Sequence, residues 1–227
     1  MQYKRVTLLC GHYGSGKTNI AVNMAFDLKK RCDRVAIADL DIVNPYFRTK
    51  DSAAELNAPG VRLICSEYAN SNVDIPALPQ DMYAVTDDKE LRCIVDIGGD
   101  DRGALALGRL APGILSENDY EMLMVVNFFR PLTPDAVSTL QVMREIEFAG
   151  GIPFTGFINN SNLGAETSAE DILDTLERAE EFGRCSGLPL IATAARADLC
   201  FALEGKVPKL FPLDLQKNSI ERKIWKG

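Results

Sequence analysis

The segment from Gly11 to Thr18, Gly-His-Tyr-Gly-Ser-Gly-Lys-Thr, constrains the fold of this chain more than any other stretch. It matches the pattern G-x-x-x-x-G-K-[ST], and it stands between a short apolar run and residues with helical spacing. Glycines at these positions let the backbone wrap closely around anionic oxygens, and the first amides of the following helix add donors and a favourable dipole. The segment therefore predicts a phosphate-binding loop between a strand and a helix.

The polar residues of this loop have separate expected roles. Lys17 would bring a positive charge to the outer phosphates and take part in catalysis, and the hydroxyl of Thr18 would ligate Mg²⁺. The predicted phosphate-binding residues are Gly11, Gly14, Ser15, Gly16, Lys17, Thr18 and Asn19. The alternative interpretation is a glycine-rich turn that ends in an exposed lysine.

Short apolar or β-branched runs alternate with segments of helical spacing along the chain. This alternation predicts an α/β fold, a mostly parallel sheet with helices on both faces, and apolar runs such as Met122–Val126 suit strands that are covered on both sides. The region 66–88 is expected to form loop and edge structure. The predicted strands are 4–10, 34–39, 61–65, 91–99, 120–128, 153–160 and 189–194.

Three helices are predicted from apolar spacing and end signals. The first carries its apolar face from Ile20 to Leu28 and ends in a basic turn. The second runs from Pro134 to Phe148, with Thr133 as its N-cap residue. The third runs over 168–182, beginning with a capping-box-like Ser-Ala-Glu-Asp sequence and stopping at Gly183.

Composition limits the class of protein. The chain has 227 residues, 46% hydrophobic and 25% charged, which predicts one folded domain over 1–227. No run approaches the roughly 20 apolar residues of a membrane span, so a membrane role is not expected. Six scattered cysteines without a C-x-x-C pair favour a reducing, cytoplasmic location. A net charge of −7 argues against a nucleic-acid surface, and a single histidine argues against a Cys/His zinc site or a histidine triad.

Two carboxylates follow the second predicted strand. Asp39 and Asp41, in Ala-Asp-Leu-Asp, lie where a parallel strand ends, at the edge of the sheet where such folds bind ligands. A carboxylate at this edge can hold a water bound to Mg²⁺ or orient the water that attacks a γ-phosphate. The alternative is a solvated turn begun by Asn44-Pro45.

A third acidic motif is Ile-Val-Asp-Ile-Gly-Gly, residues 94–99. An apolar strand that ends in Asp has the Walker-B form, in which the carboxylate of Asp96 reaches Mg²⁺ directly or through water. Gly99 stands three residues later, where its backbone N–H could contact a γ-phosphate. We therefore predict Thr18, Asp39, Asp41 and Asp96 as the magnesium-binding residues.

The order of these motifs, followed by the strand Phe-Ile-Asn-Asn, resembles the MinD/ParA/CobQ-type nucleotide-binding domain, a branch of the P-loop NTPases. The resemblance covers roughly residues 4–205. It implies that the loop lysine and threonine bind phosphate and magnesium, that Asp41 positions the attacking water, and that Asp96 supports the metal. It also implies that an asparagine at the end of a late strand, Asn159 or Asn160, contacts the base.

One departure from that family concerns the second residue of the loop. Many members carry a second lysine there that reaches the nucleotide of a partner subunit, whereas this chain has His12. In this respect the loop resembles the G-x-x-G-S-G-K-T form of the metallochaperone GTPases of nickel-enzyme maturation. A homodimer that encloses nucleotide therefore stays an open alternative. His12 is interpreted as a loop-filling residue, and the alternative is that its protonated form partly replaces the lysine.

The residues after the sixth predicted strand favour adenine over guanine. The fingerprint N-K-x-D is absent, because Asn159-Asn160-Ser161-Asn162 offers amides but neither lysine nor aspartate. Arg130 follows a strand at the ligand edge and would touch nucleotide or form a surface ion pair. Arg48 and Arg102 follow the two acidic motifs and could neutralise charge in the transition state. The tail around Trp225 could pack on the domain or dock on a membrane.

These inferences predict a Mg²⁺-dependent ATP-binding protein that hydrolyses ATP slowly and acts as a switch on an unidentified protein partner, with metalloenzyme maturation or cofactor assembly as the candidate process. The alternatives are a small-molecule kinase or ATP-dependent ligase, a GTP-using metallochaperone, and a nucleotide-binding module without turnover. An amidating activity of the cobyrinate-synthase type is disfavoured, because the chain lacks the length and the histidine of a glutaminase domain.

Overall fold

The structure is a computed structural model that describes residues 1–40, 60–65, 80–99 and 101–215. Of the residues singled out above, Asp41, Asn44, Pro45, Arg48 and Trp225 lie outside these ranges, and of Arg102 only the backbone is described. The predicted water-positioning role of Asp41 therefore stays a prediction.

The described strands form one parallel sheet of eight members. They are β1 (Val6–Cys10), β2 (Val35–Leu40), β3 (Arg62–Cys65), β4 (Arg92–Ile97), β5 (Tyr120–Val126), β6 (Gly156–Asn159), β7 (Leu190–Arg196) and β8 (Leu210–Leu213). Their order is β3-β2-β4-β1-β5-β6-β7-β8, and each neighbouring pair is parallel. The predicted parallel sheet is confirmed. Strand β8 was not predicted; it is short and contains Pro212, which an edge strand tolerates because one side of its backbone needs no partner.

The helices connect these strands. They are α1 (Lys17–Lys29), α2 (Ala84–Asp87), α3 (Asp101–Glu117), α4 (Ala136–Gly150), α5 (Ala169–Leu173), α6 (Leu176–Ser186) and α7 (Cys200–Leu203). Short 3₁₀ turns cover Gln80–Tyr83, Gly164–Glu166 and Ala197–Leu199. Helix α3 was not predicted, because its sequence contains three glycines and Pro112, residues that usually interrupt a helix.

Two predicted helix ends are wrong. Helix α4 begins after Asp135, whose side chain accepts a hydrogen bond from the Ser138 amide at 2.8 Å, whereas the hydroxyl of Thr133 donates to Asn127 O at 2.7 Å. The capping box at the start of α5 is confirmed, but the predicted third helix divides between α5 and α6. Helix α6 continues through position 183 to Ser186. Its C-cap residue is Gly187, which has a φ of 74°.

Both faces of the sheet are buried, as the apolar strands predicted. Along β1, Leu8 belongs to a core cluster with residues of α3, α4 and α6, and Leu9 belongs to a second cluster with residues of α1. This alternation follows from the period of two in a strand, which sends successive side chains to opposite faces. The carboxyl ends of the strands therefore form one edge between two helical layers.

The hydroxyl of Thr193 in β7 is fully buried and has no hydrogen-bond partner in the described ranges of the chain. Because a buried polar group without a partner costs about 1–3 kcal/mol, Thr193→Val should raise the free energy of unfolding by about 1 kcal/mol. Urea unfolding would measure this change.

Thr139 in α4 provides a matched control, since it is equally buried but donates to Asp135 O at 2.6 Å. Thr139→Val should lower the free energy of unfolding by about 1 kcal/mol. Equal losses of stability in the two variants would contradict the interpretation of Thr193.

Candidate functional site: a phosphate loop between two strand ends

The loop 11–16 leaves the carboxyl end of β1 and enters α1. In the sheet, β1 lies between β4 and β5, and the chain runs from β1 toward β2 on one side and from β5 toward β6 on the other. Parallel α/β sheets bind ligands where the strand order diverges in this way, because the connecting loops part and leave a crevice. The loop therefore lies at the expected ligand edge.

The glycines of the loop adopt conformations that other residues disfavour. Gly14 has a φ of 77° and Gly16 a φ of 87°. A Cβ at Gly11 would lie 2.4 Å from the carbonyl oxygen of Val125 in β5. The loop is thus held close to the end of β5, and glycine at position 11 is a steric requirement.

Lys17 folds back over the loop that precedes it. Its side chain is buried, and its Nζ donates to Gly11 O at 2.9 Å and to His12 O at 3.3 Å. Both acceptors are neutral carbonyls, although a buried cation is normally paired with an anion. The hydroxyl of Ser15 is also buried and has no hydrogen-bond partner among the residues that the structure describes. A cation and an unused hydroxyl at the N-terminus of α1 form a cradle for an anion.

Thr18 and Asp96 meet beside this cradle. The Thr18 hydroxyl donates to Asp96 Oδ2 at 2.7 Å, and both side chains are buried. Asp39 in β2 is the register partner of Asp96 in β4 and is also buried. A hydroxyl and carboxylates are the hard oxygen donors that suit Mg²⁺. The structure thus brings together three of the four predicted magnesium-binding residues.

The described residues contain no cluster of three His, Cys, Asp or Glu side chains that could hold a metal alone. Magnesium usually keeps several waters and takes only one or two carboxylates together with phosphate oxygens. The donor set of Thr18, Asp96 and Asp39 therefore fits a Mg²⁺ ion that arrives with a phosphate ligand.

Gly99 packs directly against the phosphate loop. A Cβ at this position would lie 2.7 Å from Gly11 O and 2.7 Å from the Tyr13 amide nitrogen. The segment that follows β4 therefore touches the loop through its backbone. No side chain can be accommodated there without moving one of the two segments.

The two asparagines predicted to contact a base occupy different positions. Asn159 is fully buried; its Nδ2 donates to Thr175 Oγ1 at 3.0 Å, and its Oδ1 accepts from the Ser161 hydroxyl at 2.7 Å. Asn160 is also buried, and its Nδ2 donates to Ser15 O at 2.7 Å. The side chain of Asn160 thus contacts the phosphate loop, whereas the side chain of Asn159 contacts Thr175 and Ser161.

Two further polar residues approach the site from the end of β5. Asn127 is fully buried, donates to Asn162 O at 3.0 Å and accepts from the Phe129 amide at 3.0 Å. Sequence reasoning missed it, although a polar residue that ends an apolar strand is a usable signal. Arg130 donates from Nε to Gly14 O at 2.9 Å, a contact with the loop that differs from both sequence-based alternatives, a nucleotide or substrate contact and a surface ion pair.

The remaining predicted binding residue, Asn19, lies half-buried in the first turn of α1, and its carbonyl accepts from Asn23 Nδ2 at 2.8 Å. His12 is partly exposed, with its Nδ1 3.0 Å from Tyr13 O, which agrees with a residue that fills the loop. Within the ranges described, no helix combines the length and the apolar character needed to cross a membrane.

The sequence matches no protein-family model, and a search of curated proteins found no significant match. Solved structures share its architecture. FtsY from Mycoplasma mycoides superposes with a TM-score of 0.51 and 16% identity over 84% of this chain and 60% of that one. The cell division protein FtsY from Thermotoga maritima gives a TM-score of 0.51 and 17% identity over 84% of this chain and 61% of that one.

A nucleotide-binding protein from Archaeoglobus fulgidus, solved in complex with ADP, gives a TM-score of 0.46 and 10% identity over 87% of this chain and 85% of that one. The chain spans about 60% of the length of the two FtsY structures. The likeness to FtsY concerns the fold, and the predicted MinD/ParA/CobQ membership stays a prediction. With its eight-stranded parallel sheet, helices on both faces and a glycine-rich loop between β1 and α1, the chain has the α/β fold of the P-loop NTPases.

Proposed function

We propose that this protein binds ATP with Mg²⁺, hydrolyses it slowly and acts through this cycle as a switch on a protein partner. The observation that carries the proposal is the cradle at the N-terminus of α1. Among the residues that the structure describes, the buried ammonium of Lys17 donates only to carbonyls and the buried Ser15 hydroxyl has no partner, so both are available to a phosphate group. A triphosphate would supply the negative charge that this buried cation lacks.

The residues in and beside the cradle would have separate roles in binding the nucleotide and the metal. Lys17 and the first amides of α1 would hold the phosphate oxygens, and the Ser15 hydroxyl would donate to one of them. Thr18, Asp96 and Asp39 would hold the metal, which when bound would neutralise charge that develops on the phosphates. We assign the orientation of the attacking water to Asp41. Gly99 would place its backbone N–H beside the terminal phosphate, so that the segment after β4 distinguishes triphosphate from diphosphate.

ATP is the proposed nucleotide, with GTP as the alternative. The side chains of Asn159, at the end of β6, and of the next three residues are three amides and a hydroxyl, and a guanine edge with its N–H donors is best met by a carboxylate acceptor. Competition of unlabelled ATP and GTP against one fluorescent nucleotide would decide between them. Preferential displacement by GTP would instead support the metallochaperone alternative.

The proposed switch acts in the cytoplasm on a protein partner, as a monomer or a homodimer. Hydrolysis would release the segments around Asp39 and Gly99 from the terminal phosphate, and such order–disorder changes are a common way to pass a nucleotide state to a partner. A net charge of −7 disfavours nucleic acid as that partner.

Replacing the loop lysine should remove nucleotide binding. Lys17→Ala deletes a buried charge, and since hydrogen bonds to charged groups are worth about 1.5–3 kcal/mol, ATP affinity should fall by about 100-fold. Isothermal titration calorimetry with Mg·ATP would measure the loss. Lys29→Ala, at the other end of α1, is the matched control and should bind as the unaltered protein does.

Asp41→Asn separates binding from turnover. If Asp41 orients water, this variant should bind Mg·ATP normally and release phosphate more slowly, on the order of 100-fold, in an assay without added metabolite. Turnover that appears only with a small-molecule acceptor would favour a kinase or ligase. Absence of hydrolysis under both conditions would leave a binding module, and absence of binding by the unaltered protein would refute the proposal.

A further inference from the structure

Two side chains from other strands hold carbonyl groups of the phosphate loop from outside. Arg130, in the turn after β5, donates from Nε to Gly14 O at 2.9 Å. Asn160, at the end of β6, donates from Nδ2 to Ser15 O at 2.7 Å. The two acceptors are consecutive in the loop, so this pair of donors, here called the loop clamp, controls the direction of two successive peptide groups.

The direction of a carbonyl determines the direction of the next amide, because the peptide group is planar and trans. With Ser15 O turned toward Asn160, the Gly16 N–H of the same peptide points the opposite way, away from Asn160. The left-handed conformations of Gly14 and Gly16 on either side of Ser15 produce the alternation typical of an anion-binding nest of amides. Asn160 therefore orients one of the donors that an anion would use.

The peptide group between Gly14 and Ser15 makes hydrogen bonds through both its carbonyl and its amide. Its carbonyl, Gly14 O, accepts from Arg130, and its amide, Ser15 N, donates to His12 O at 3.1 Å. The turn that shapes the loop is thus closed by a backbone bond on one side and by the guanidinium on the other. Without Arg130, Gly14 O would lose its side-chain partner.

The contacts of the clamp are also sterically close. A Cβ at Gly16 would lie 2.4 Å from Asn160 Nδ2, and a Cβ at Gly14 would lie 3.2 Å from Arg130 Nε. Asn160 is 3% exposed, so its amide is shielded from solvent, and its bond to the loop forms in a buried position. Glycine at both loop positions is therefore matched to the two donors that face them.

We propose that Arg130 and Asn160 are positioning residues that hold the phosphate loop in its anion-binding conformation before nucleotide arrives. The inference rests on the proposed nucleotide binding and assigns a different task to Asn160 from the base contact that the sequence suggested. A loop already in its binding conformation loses less entropy when the ligand binds, so its affinity is higher. Within the described part of the chain, the hydrogen bonds that these two side chains donate end on the loop, so the clamp should act on the phosphate part of any ligand.

Inorganic tripolyphosphate, which has phosphates but no base, distinguishes the two tasks. Calorimetric titrations with Mg²⁺ would compare tripolyphosphate, ATP and GTP on the unaltered protein, Asn160→Ala and Arg130→Ala. Since one hydrogen bond is worth up to about 1.5 kcal/mol, we expect each variant to bind tripolyphosphate and ATP about tenfold more weakly, with an unchanged ratio of ATP to GTP affinity. Arg184→Ala, which removes an exposed charge from α6, should bind all three ligands normally.

The possible results distinguish failure of the loop-clamp hypothesis from failure of the proposed function. If the unaltered protein binds none of the three ligands, the proposed function fails. If it binds them and Asn160→Ala changes only the ATP to GTP ratio, the clamp is refuted in favour of a base contact. If Arg130→Ala binds like Arg184→Ala, the clamp is refuted for Arg130. Thermal unfolding without ligand would show whether Asn160→Ala is folded, and Arg130 is exposed, so that variant tests the loop even if the other does not fold.

Discussion

Gly99→Ala should lower the affinity for Mg·ATP by about 100-fold while the protein stays folded, since overpacking at a tight contact costs about 1–3 kcal/mol. The added methyl group would lie 2.7 Å from both Gly11 O and the Tyr13 amide nitrogen. Because β1 and β4 are fixed by their parallel register, the loop is the part that must shift. Calorimetric titration would measure the affinity, and thermal unfolding would confirm the fold.

Gly108→Ala is the matched control for this substitution. Gly108 lies inside α3, where the nearest atoms to an added Cβ are carbonyl oxygens at 3.9 Å, an ordinary contact distance. Alanine is favoured over glycine in a helix by about 1 kcal/mol, so this variant should be slightly more stable and bind nucleotide normally. Normal binding by Gly99→Ala would show that the segment after β4 does not constrain the loop.

Glu117→Gln should lower the free energy of unfolding by about 2 kcal/mol at neutral pH, because it removes one partner of a partly buried ion pair and hydrogen bonds to charged groups are worth about 1.5–3 kcal/mol. The other partner is Arg5, whose side chain is 6% exposed and whose guanidinium binds the Glu117 carboxylate. Arg5 also donates to three carbonyls, Val85 O at 2.9 Å, Leu91 O at 3.1 Å and Asp88 O at 3.2 Å. The amide of glutamine would leave the charge of Arg5 buried without an anion.

The pH dependence of this effect has a definite sign. The hydrogen bond from Arg5 lowers the pKa of Glu117 below its usual value, with a smaller contribution from Lys89. A lowered carboxyl pKa stabilises the folded state above the ordinary pKa, and the stabilisation disappears as the pH falls through the folded-state pKa. The difference between the unaltered protein and Glu117→Gln should therefore be full at pH 7 and shrink in acid.

Urea unfolding at pH 7 and at progressively lower pH would measure this difference. Glu90→Gln is the control, because Glu90 pairs with Arg34 at the surface, where its side chain is 82% exposed. Exposed ion pairs contribute about 0–1 kcal/mol, so that variant should unfold almost as the unaltered protein does. A difference between Glu117→Gln and the unaltered protein that stays constant with pH would contradict the assignment.

Local patterns in the sequence predicted most of the regular structure. Seven of the eight described strands overlap predicted runs, with β2 and β7 extending one and two residues past them, because a strand buried on both faces needs a continuous apolar stretch that is visible without knowing its neighbours. The failures occur where local signals conflict with packing. Helix α3 forms in spite of Pro112, and Gly113 within it lies close to Thr86, where an added Cβ would be 2.9 Å from a methyl carbon.

In the candidate site, too, the motifs made of consecutive residues were predicted, whereas contacts between residues far apart in the sequence were not. The loop from Gly11 to Thr18 and the acidic ends of β2 and β4 were predicted, because the chemistry of each is contained in a few consecutive residues. The contacts of Asn159, the last residue of β6, and of Asn160, the next residue, were not predicted. An amide at a strand end can face a ligand, a loop or the core, and its neighbours in sequence do not decide among these.

By itself, the sequence determined that this protein has a phosphate loop between a strand and a helix within a parallel α/β domain. Only the tertiary structure decided what surrounds that loop. Thr18 binds Asp96 across 78 residues, Arg130 binds Gly14 across 116, and Asn160 binds Ser15 across 145. The physical reason is that backbone periodicity is a local property, whereas these three contacts depend on the order in which separate strands join the sheet.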